Sequence, residues 1–414
     1  MSKGDIRMKG KTNQRPVLVI GAGPIGLTAA LALRRFEIPA TIIEAEPKER
    51  IRPGSRAIYF HKATLEHWED IYPGLGFTFA KHGVVWPVKR TLFGGKEVYI
   101  KRYPAPNRNE LPPFTSLPQV EAEKFLYEAC VAAGVEFIWN SPVRQVETNE
   151  NGVIVTTESG EVWQADYVIG ADGARSVVRQ SLGIELEGPR SRDRFVVVDI
   201  EEDPSAPLPL ERVFHYQHPA MGGRNVLFVP FAGGWRVDLQ LFAEDDAQQY
   251  GNIEGVRQWI PKVMHKKYAD RITWVSMYQF HQAVARSFTD EHCRVVLAGE
   301  AAHLFAPFGA RGMNSGVADA VAAVKAIHAA FQEGERSKAK QIIAEAAQER
   351  KTAAQYNRDC AGLALEHIQG RSPVMNMKRE LAASLSSIIP SLGKWLDEGP
   401  YGPKSGPPQL ATKY

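Results

Sequence analysis

Residues 17–44 read VLVIGAGPIGLTAALALRRFEIPATIIE, and this stretch decides the fold. An apolar run predicts a strand, a Gly-rich turn follows, and an Ala/Leu-rich segment predicts a helix leading to a second apolar strand. Gly21 allows a tight turn, Gly23 leaves room for a pyrophosphate beside the backbone, and Gly26 lets the helix pack closely on the strand. Glu44 follows Gly26 by 18 residues, where an acid accepts hydrogen bonds from ribose hydroxyls. The stretch therefore predicts a dinucleotide-binding unit, without distinguishing FAD from NAD.

Length and composition are those of an ordinary soluble globular protein. The 414 residues are enough for two domains, and the net charge of +3 gives no argument for a nucleic-acid partner. Cys130, Cys293 and Cys360 lack the spacing of a metal site or a disulfide framework, so they suit a reducing cytoplasm. Residues 1–15 are basic but have no apolar region, which predicts a solvated leader instead of a signal peptide. No apolar run is long enough to span a bilayer.

The remaining patterns predict further helices and strands. Helices are expected at 63–70, 120–133, 253–268, 315–331 and 337–365. Strands are expected at 56–60, 98–100, 135–139, 143–157, 161–164, 167–170, 195–200, 213–216, 226–229, 235–241 and 294–298. The strands between 194 and 242 have few helices among them, which favours a separate sheet. The Pro/Gly-rich end, 399–414, is predicted to be extended over the surface.

Two later stretches repeat the pattern of a strand that runs into a turn of small residues. They are Gly170–Arg179 and Gly299–Asn314. In an open α/β sheet, ligands bind outside the carboxyl ends of the strands. We therefore expect three strand ends to meet on one side and to enclose an extended molecule. FAD is long enough to need all three, whereas NAD is usually served by a single unit.

Taken together, the three stretches resemble the class A, single-component FAD-dependent aromatic hydroxylases of the p-hydroxybenzoate hydroxylase type. Tyr167–Arg179 matches that family's Asp-Gly fingerprint, and Arg294–Asp319 matches its second flavin motif. Tyr278–Ala285, followed by the apolar strand at Arg294, is similar to the 3-(3-hydroxyphenyl)propionate and phenol-type hydroxylases. Arg56-Ala57 together with Thr64-Leu65-Glu66 points to the same relatives.

The resemblance implies an α/β fold in which a Rossmann-like FAD-binding domain carries an inserted β-rich substrate domain and C-terminal helices. The FAD-binding domain is expected to be discontinuous and to comprise 15–88, 114–188 and 288–370. The substrate domain is expected to comprise 89–113 and 189–287. Residues 371–414 are expected to form a C-terminal helical segment and tail.

The resemblance also implies a reaction. NAD(P)H reduces FAD, O₂ then forms a flavin C4a-hydroperoxide, and one oxygen atom passes to an aromatic, phenolic small molecule. Only one GxGxxG is present, so NAD(P)H is expected to bind transiently on the face of the FAD domain. The expected protein is cytoplasmic, has no transmembrane segment or nucleic-acid partner, and is compatible with a homodimer.

Other activities on the same scaffold stay open at this point. They include epoxidation, alkene reduction and modification of an antibiotic. An alternative of a different class is a protein that binds flavin without turnover. Halogenation is disfavoured because the chain has no Trp-x-Trp-x-Ile-Pro stretch. NADH oxidation that rises with an added phenol would separate an enzyme from a binding protein.

The residues expected to bind the cofactor come from the first stretch and from the resemblance. They are Gly21, Ala22, Gly23, Pro24, Ile25, Gly26, Glu44, Arg56, Gln119, Val143, Asp172, Glu300, Pro307, Gly312, Met313 and Asn314. Arg56 suits the pyrophosphate because its guanidinium matches a phosphate, although it could instead pair with Glu66 or Glu44. Glu300 stands where the family has Asp and is expected to accept hydrogen bonds from the ribityl hydroxyls. Because Glu is one methylene longer, an inactive flavin site also stays open.

The helix that opens at Gly312 is expected to direct its first N–H groups at the N1/C2 carbonyl edge of the flavin and to stabilise the reduced anion. Pro307 and Phe308 are expected to cover one flavin face, with a plain core role as the alternative for Phe308.

Hydroxylation of a phenol benefits from a side chain that helps to form the phenolate. Tyr216, His215 and His281 are candidates for this role, and Tyr216 and His281 are the proposed catalytic residues. A structural role is the alternative for each histidine, and it is the expected one for His303. His215 and His218 have no acidic or Cys companion, so no metal site is predicted.

Overall fold

The computed structural model describes residues 13–50, 52–107 and 109–403, without the side chains of 190–193. Most of the predicted basic leader and residues 404–414 of the predicted tail lie outside the described residues. The strands are β1 (Asn13–Ile20), β2 (Ala40–Ile43), β3 (Tyr59–His61), β4 (Val88–Phe93), β5 (Lys96–Arg102), β6 (Phe114–Ser116), β7 (Glu136–Ile138), β8 (Val143–Asn149), β9 (Gly152–Thr157), β10 (Val162–Gly170), β11 (Leu186–Glu187), β12 (Arg190–Glu201), β13 (Glu211–His218), β14 (Arg224–Phe231), β15 (Gly234–Gln240), β16 (Ile272–His281), β17 (Ala283–Ala285), β18 (Val295–Leu297) and β19 (His303–Leu304). The helices are α1 (Pro24–Arg35), α2 (Lys62–Ile71), α3 (Leu75–His82), α4 (Gln119–Ala132), α5 (Val177–Ser181), α6 (Ala247–Gly251), α7 (Ile253–Val263), α8 (Arg311–Gln332), α9 (Arg336–Gln369), α10 (Pro373–Leu385) and α11 (Pro390–Glu398).

The first sheet has the strand order β7-β2-β1-β10-β9-β8, with β18 also pairing with β10. The strands β7, β2, β1, β10 and β18 run parallel, and β8 and β9 add antiparallel strands. The last four residues of β1 are buried, as expected for a parallel strand that is covered on both faces. In the register, Gly170 lies beside Ile20 on one side and Leu297 on the other. The expectation that three turns meet at one sheet edge is therefore confirmed.

The second sheet has the order β16-β12-β15-β14-β13-β4-β5. Strand β4 runs parallel to β13, so the segment 88–102 lies in the same sheet as the strands between 190 and 281. One face packs on α7 through a core that includes Val256, Trp259 and Ile260. The other face packs on the C-terminal half of α9 and on α10 and α11. This sheet stands beside the parallel sheet and completes the architecture in which the candidate site lies.

Three expectations are corrected in detail. The predicted strand at 56–60 is only Tyr59–His61, because the backbone before it turns through a left-handed Arg56 with φ of +51°. Helix α7 ends at Val263 instead of continuing to residue 268, soon after Pro261, which cannot donate a helical hydrogen bond. The start of the predicted extended tail is a turn at Gly399–Tyr401 in which Pro400 is buried.

Candidate functional site

The first Gly-rich turn has the geometry that its sequence predicts. Gly21 has a φ of +102°, and a Cβ there would lie 2.5 Å from the backbone oxygen of Ala171. A Cβ on Gly26 would lie 1.9 Å from the backbone oxygen of Gly21, so glycine is required for the close contact between helix and turn. A Cβ on Gly23, in contrast, would meet only the Arg52 guanidinium, at 3.9 Å. The backbone of Gly23 at the start of α1 is therefore open to a ligand.

Glu44 lies directly beside this turn at the end of β2. Its carboxylate accepts a hydrogen bond from the backbone N–H of Ala22 and another, of 3.0 Å, from that of Glu46. The guanidinium of Arg50 lies 3.2 Å from the same carboxylate and also donates to the carbonyl of Ala22. The buried carboxylate is thus held in a fixed position beside the first turn. Val143, at the start of β8, lies buried nearby, two residues after Ser141, whose N–H donates to the Glu44 carbonyl.

The loop after Glu44 brings three arginines toward the turn, and only Arg56 was expected from the sequence. Arg52 pairs with Glu46 at 2.8 Å and with Glu123 at 3.4 Å, and its guanidinium reaches the space above Gly23. Arg50 and Arg52 were missed, although two further arginines so close to the acid were a signal for phosphate binding.

The side chain of Arg56 is exposed, and its carbonyl accepts a hydrogen bond from Arg236. Neither acid named as an alternative partner holds Arg56, because Glu66 pairs with Lys62 and Glu44 pairs with Arg50. Gln119 fastens the loop, because its backbone N–H donates to Ser55 and its side-chain oxygen accepts from the N–H of Ala57.

Asp172 forms the second part of the site. One carboxylate oxygen accepts a hydrogen bond of 3.0 Å from the N–H of Val178, and the other is buried with no hydrogen-bond partner among the described residues. Burial raises the pKa of this carboxyl above its usual range, while a hydrogen bond from Ser176 opposes the rise. The free oxygen is an acceptor that a ligand hydroxyl could satisfy.

Glu300 lies in the third turn, in a short 3₁₀ segment at Gly299–Ala301. Its side chain is exposed. Burial raises the pKa of Glu300, and the nearby His303 and Arg56 oppose the rise. Tyr278 lies close enough that burial and the charge of Glu300 raise the pKa of its phenol. The exposed carboxylate is therefore available to ligand hydroxyls.

A buried network holds this turn against the long helices. Asp319 on α8 accepts hydrogen bonds from the ring of His303 at 2.6 Å, from Arg350 at 2.8 Å and from the N–H of Gly299 at 3.2 Å. Burial by itself would raise the pKa of Asp319, but Arg350 and His303 hold it below its usual range. His303 is completely buried in this network, which gives it the structural role expected of it.

Helix α8 begins at Arg311, so Gly312 and Met313 lie in its first turn as predicted. A Cβ on Gly312 would meet nothing within 4 Å, so this end of the helix is open. The side chain of Asn314 is fully used inside the protein, since it accepts from the His61 N–H at 2.9 Å and donates to the carbonyl of Tyr59 at 3.0 Å.

Pro307 is exposed beside this helix end, but Phe308 is buried against the aromatic rings of Phe195 and Phe280. Phe308 therefore packs in the core of the second sheet, and its coverage of a flavin face stays a prediction. Its apolar ring packs against two neighbouring aromatic rings.

The catalytic candidates are not brought together. Tyr216 is completely buried, and its hydroxyl donates to the carbonyl of Leu396 at 2.8 Å. Burial raises the pKa of Tyr216 far above its usual range, so this phenol is a poor proton carrier, and we correct its assignment to a structural residue. His215 is buried, and its ring accepts from the N–H of Gly95, while burial lowers its pKa to about 4. His281 is exposed at the end of β16.

The hydrogen-bond donors and acceptors of this site are chemically suited to FAD. A Cβ added at Gly23 would meet only the Arg52 guanidinium and one added at Gly312 would meet no atom within 4 Å, while Asp172 has an unpaired carboxylate oxygen and the side chain of Glu300 is exposed. Arginine and helix N-termini suit phosphates, and carboxylates suit sugar and ribityl hydroxyls. Among the described residues no cluster of His, Cys, Asp and Glu could hold a metal ion. No helix in the described part of the chain is long and apolar enough to cross a membrane.

Comparisons with known proteins agree with this geometry. A family model described as FAD binding domain matches residues 14–360. The chain is 28% identical over 335 residues to para-nitrophenol 4-monooxygenase of Pseudomonas sp. (strain WBC-3), covering 78% of this chain and 80% of that protein. It is 28% identical over 317 residues to the 3-(3-hydroxy-phenyl)propionate/3-hydroxycinnamic acid hydroxylase of Mycolicibacterium smegmatis, covering 73% of this chain and about half, 53%, of that protein. The crystal structure of p-nitrophenol 4-monooxygenase from Pseudomonas putida superposes with a TM-score of 0.76 at 22% identity, covering 95% of this chain and all of the other, which supports the fold.

Proposed function

Because the chain belongs to the FAD binding domain family and is an FAD-dependent monooxygenase, we propose that it uses NAD(P)H and O₂ to hydroxylate an aromatic, phenolic small molecule. The observation that carries the proposal is the meeting of three turns at one sheet edge, after β1, β10 and β18. The two relatives described above are named for phenolic substrates. Their names support the substrate class proposed here.

The proposed roles of the residues follow from their positions. The first turn of α1 at Gly23 and the guanidinium of Arg52 receive the pyrophosphate, with Arg56 at the edge of the same loop. Glu44 accepts the ribose hydroxyls of the adenosine. Asp172 and Glu300 accept hydroxyls farther along the cofactor.

Bound FAD supplies the capacity to accept a hydride and to deliver one atom of O₂ to an aromatic ring. The first turn of α8, at Gly312 and Met313, offers N–H groups and a partial positive charge that stabilise negative charge on a bound ring. Its position is fixed at two places, by Asn314, which bonds to β3, and by Asp319, which bonds to the third turn. The protein thus keeps the helix end in place before any ligand arrives.

We further propose that the substrate lies between this helix end and the second sheet, and that the chain divides into the two domains and C-terminal segment predicted from the sequence. Membership of 88–102 and 190–281 in one sheet supports this division. The free, buried state of all three cysteines supports a cytoplasmic location. NAD(P)H approaches the cofactor transiently at the open face near Arg56.

The test is a spectrum of the purified protein followed by a screen of phenols. The protein should show flavin absorption and release FAD but not FMN, and an accepted phenol should raise NAD(P)H oxidation and yield a hydroxylated product. Peroxide is quantified in parallel, because stimulated oxidation that forms only peroxide is not hydroxylation. Bound FMN, or NAD in place of flavin, would contradict the proposal. A yellow protein that no phenol stimulates would favour flavin binding without turnover.

A further inference from the structure

Asp199 on β12 is a buried carboxylate that holds a distant loop. The residue is 3% exposed, and its two oxygens accept hydrogen bonds from the backbone N–H of Ser55 and, at 2.7 Å, from the Ser55 hydroxyl. Ser55 is also buried and lies 144 residues earlier in the chain. Hydrogen bonds to a charged acceptor are about twice as strong as those between neutral groups. The second sheet therefore holds the loop that follows Glu44 at one defined point.

Three neighbouring strands hold three successive residues of this loop. Asp199 is in register with Trp274 of β16 on one side and with Arg236 of β15 on the other. A Cβ on Gly54, which has a φ of +85°, would lie 2.3 Å from the Trp274 ring, so the loop backbone lies directly on the indole. Arg236 donates a hydrogen bond to the carbonyl of Arg56. The three side chains thus form one row across the sheet, and the loop lies along this row.

Helix α4 fastens the same loop from another side. The backbone N–H of Gln119 donates to the Ser55 carbonyl at 2.9 Å. All three polar groups of Ser55 are therefore fixed, its hydroxyl and N–H by β12 and its carbonyl by α4. Arg52, three residues earlier, extends its guanidinium toward the first Gly-rich turn, and Arg56 is the next residue after Ser55, with an exposed side chain. The fixed point lies between the two arginines that are proposed to meet phosphates.

The charges around Asp199 do not replace the loop as its partner. Burial raises the pKa of the Asp199 carboxyl and the nearby Asp238 adds to the rise, whereas the hydrogen bonds from Ser55 and the charge of Arg236 oppose it. Arg236 itself pairs with Asp238 at 2.7 Å. Among the described residues, Ser55 alone donates hydrogen bonds to the Asp199 carboxylate. A buried carboxylate without these bonds would be costly, so the sheet favours the docked loop.

We propose that Asp199 is a positioning residue, which holds residues 52–56 against the second sheet so that the guanidinium groups of Arg52 and Arg56 meet the phosphates of FAD and NAD(P)H. In this role Asp199 acts through Ser55 and does not itself contact a phosphate. Paired hydrogen bonds from a guanidinium to a phosphate require a defined direction, so a displaced loop should bind phosphates less well. The inference rests on the proposed function for the use of NAD(P)H, whereas FAD binding to the apoprotein is measured without turnover.

Titration of the apoprotein with FAD, followed by flavin fluorescence, tests the inference. Asp199→Ala should weaken FAD binding by about 10- to 100-fold, because the loop loses its anchor. Asp199→Asn should stay within about threefold of the parent, since its amide can accept from the Ser55 N–H and donate to the Ser55 hydroxyl oxygen. A loss in Asp199→Asn as large as that in Asp199→Ala would contradict the assigned contacts.

Asp245→Ala is the matched control. The side chain of Asp245 is 6% exposed, accepts a hydrogen bond of 2.7 Å from the N–H of Phe242 and pairs with Arg224, and neither partner belongs to the loop. Asp245→Ala should lower the temperature of unfolding and leave FAD affinity unchanged. An equal loss of FAD affinity in Asp245→Ala, or parent-like affinity in a folded Asp199→Ala, would overturn the inference.

A second background shows whether Asp199 acts through the arginines. In a protein that carries Arg52→Met and Arg56→Met, adding Asp199→Ala should change FAD affinity by less than about threefold. A full 10- to 100-fold loss in that background would make Asp199 a general support of the fold and would overturn the positioning role. Ser55→Ala, which removes the hydroxyl and keeps the N–H, serves if Asp199→Ala does not fold. It should weaken FAD by about 3- to 10-fold, and unchanged affinity would count against the inference.

Steady-state kinetics at saturating FAD give a measurement that a merely structural role would not move. With an accepted phenol, Asp199→Ala should raise the KM for NAD(P)H by about 10-fold and change kcat by less than about threefold, because the displaced arginines affect binding of the phosphates and not the transfer step. A loss confined to kcat would overturn the inference for NAD(P)H, and so would an unchanged KM.

Failure of this inference and failure of the proposed function are distinguishable. If FAD affinity depends on Asp199 and on the two arginines but no phenol stimulates NAD(P)H oxidation, the hydroxylase proposal fails for the phenols tested and the positioning role stands. If a phenol is hydroxylated and Asp199→Ala keeps both the FAD affinity and the KM for NAD(P)H, the hydroxylase stands and the positioning role fails.

Discussion

We propose that Glu300 keeps the acceptor role that the resemblance assigns to an Asp at this position. Its side chain is exposed, and its carboxylate has no hydrogen-bond partner among the described residues. A Glu side chain can fold back its extra methylene at a modest rotamer cost. The charged acceptor can thereby remain at the place that the ribityl hydroxyls require.

We predict that Glu300→Asp retains FAD, that Glu300→Gln weakens it, and that Glu300→Ala weakens it more. Gln removes the charge and one acceptor, and Ala leaves hydroxyls unpaired in a partly buried site, at a cost of about 1–3 kcal/mol. FAD dissociation followed by the recovery of flavin fluorescence measures all four proteins. Parent-like affinity in Glu300→Ala would show that the third turn does not hold the cofactor in this way.

The raised pKa of Glu300 adds a pH dependence to this series. Because burial raises the pKa of the carboxyl, its proton is taken up at a higher pH than for an exposed Glu. Protonation removes the charged acceptor, so FAD affinity should fall as the pH decreases through that raised pKa. In Glu300→Gln this part of the pH profile should be flat, and identical profiles for the two proteins would contradict the assignment.

Tyr216 illustrates what a sequence cannot reveal at the scale of one residue. Its place on a predicted strand near two histidines favoured a catalytic role. In the structure, however, its hydroxyl donates a hydrogen bond to the carbonyl of Leu396, which lies 180 residues later in the sequence. Local patterns identify chemically capable groups, whereas distant contacts decide which of them are free.

Replacement of Tyr216 by Phe should therefore lower stability and leave turnover largely intact. The change leaves the Leu396 carbonyl unpaired in the core, which should cost about 1–3 kcal/mol in the free energy of unfolding. Urea unfolding and the rates of flavin reduction and hydroxylation provide the measurements. His281→Ala is the comparison, since its exposed ring should not affect unfolding. A selective loss of hydroxylation in Tyr216→Phe would restore the catalytic assignment.

At the scale of elements, the turns that carry the site were predictable because each is local. Strands β1, β10 and β18 read as apolar runs, and the turn after β1 requires Gly21 and Gly26, where a Cβ would lie 2.5 Å and 1.9 Å from a backbone oxygen. The parallel pairing of β4 with β13 was not predictable in the same way, because more than 100 residues separate Val88 from Glu211. The local sequence pattern predicts where a strand lies, whereas its pairing with a distant strand depends on the fold of the whole chain.

Two glycines at helix starts allow folding and ligand binding to be separated. Gly26→Ala should destabilise the protein and abolish FAD retention, because its Cβ would lie 1.9 Å from the Gly21 carbonyl oxygen. Gly312→Ala should leave unfolding unchanged or slightly improve it, since the added Cβ meets no atom within 4 Å and Ala favours helix. FAD affinity should nevertheless fall in Gly312→Ala, because the methyl group would project where the flavin edge is proposed to lie.

Thermal unfolding of the apoproteins and FAD titration measure the two effects separately. Unchanged FAD affinity in Gly312→Ala, with normal folding, would place the cofactor away from the start of α8. Normal stability in Gly26→Ala would show that the turn and helix can separate without consequence.

At the scale of the whole molecule, the C-terminal segment joins the second sheet to the start of α8. Helix α11 places Asp397 against β4, where Lys89 and Thr91 hold it, and the following turn places Tyr401 against Arg311. The sequence predicted helices and a tail after residue 371 but not this contact, because the partners lie about 300 residues earlier in the chain.

The buried pair Lys89–Asp397 should contribute strongly to the attachment of this segment. Lys89→Met would leave Asp397 as an uncompensated charge that is 1% exposed, which should lower the free energy of unfolding by roughly 3–5 kcal/mol. Combining it with Asp397→Leu should recover at least half of that loss, because the carboxylate that Lys89 compensates is then removed as well. Lys62→Met, which breaks the exposed pair with Glu66, is the control and should cost less than about 1 kcal/mol. Urea unfolding of the four proteins measures these free energies. If Lys89→Met lowers the free energy of unfolding no more than Lys62→Met does, the segment is held by its apolar contacts alone.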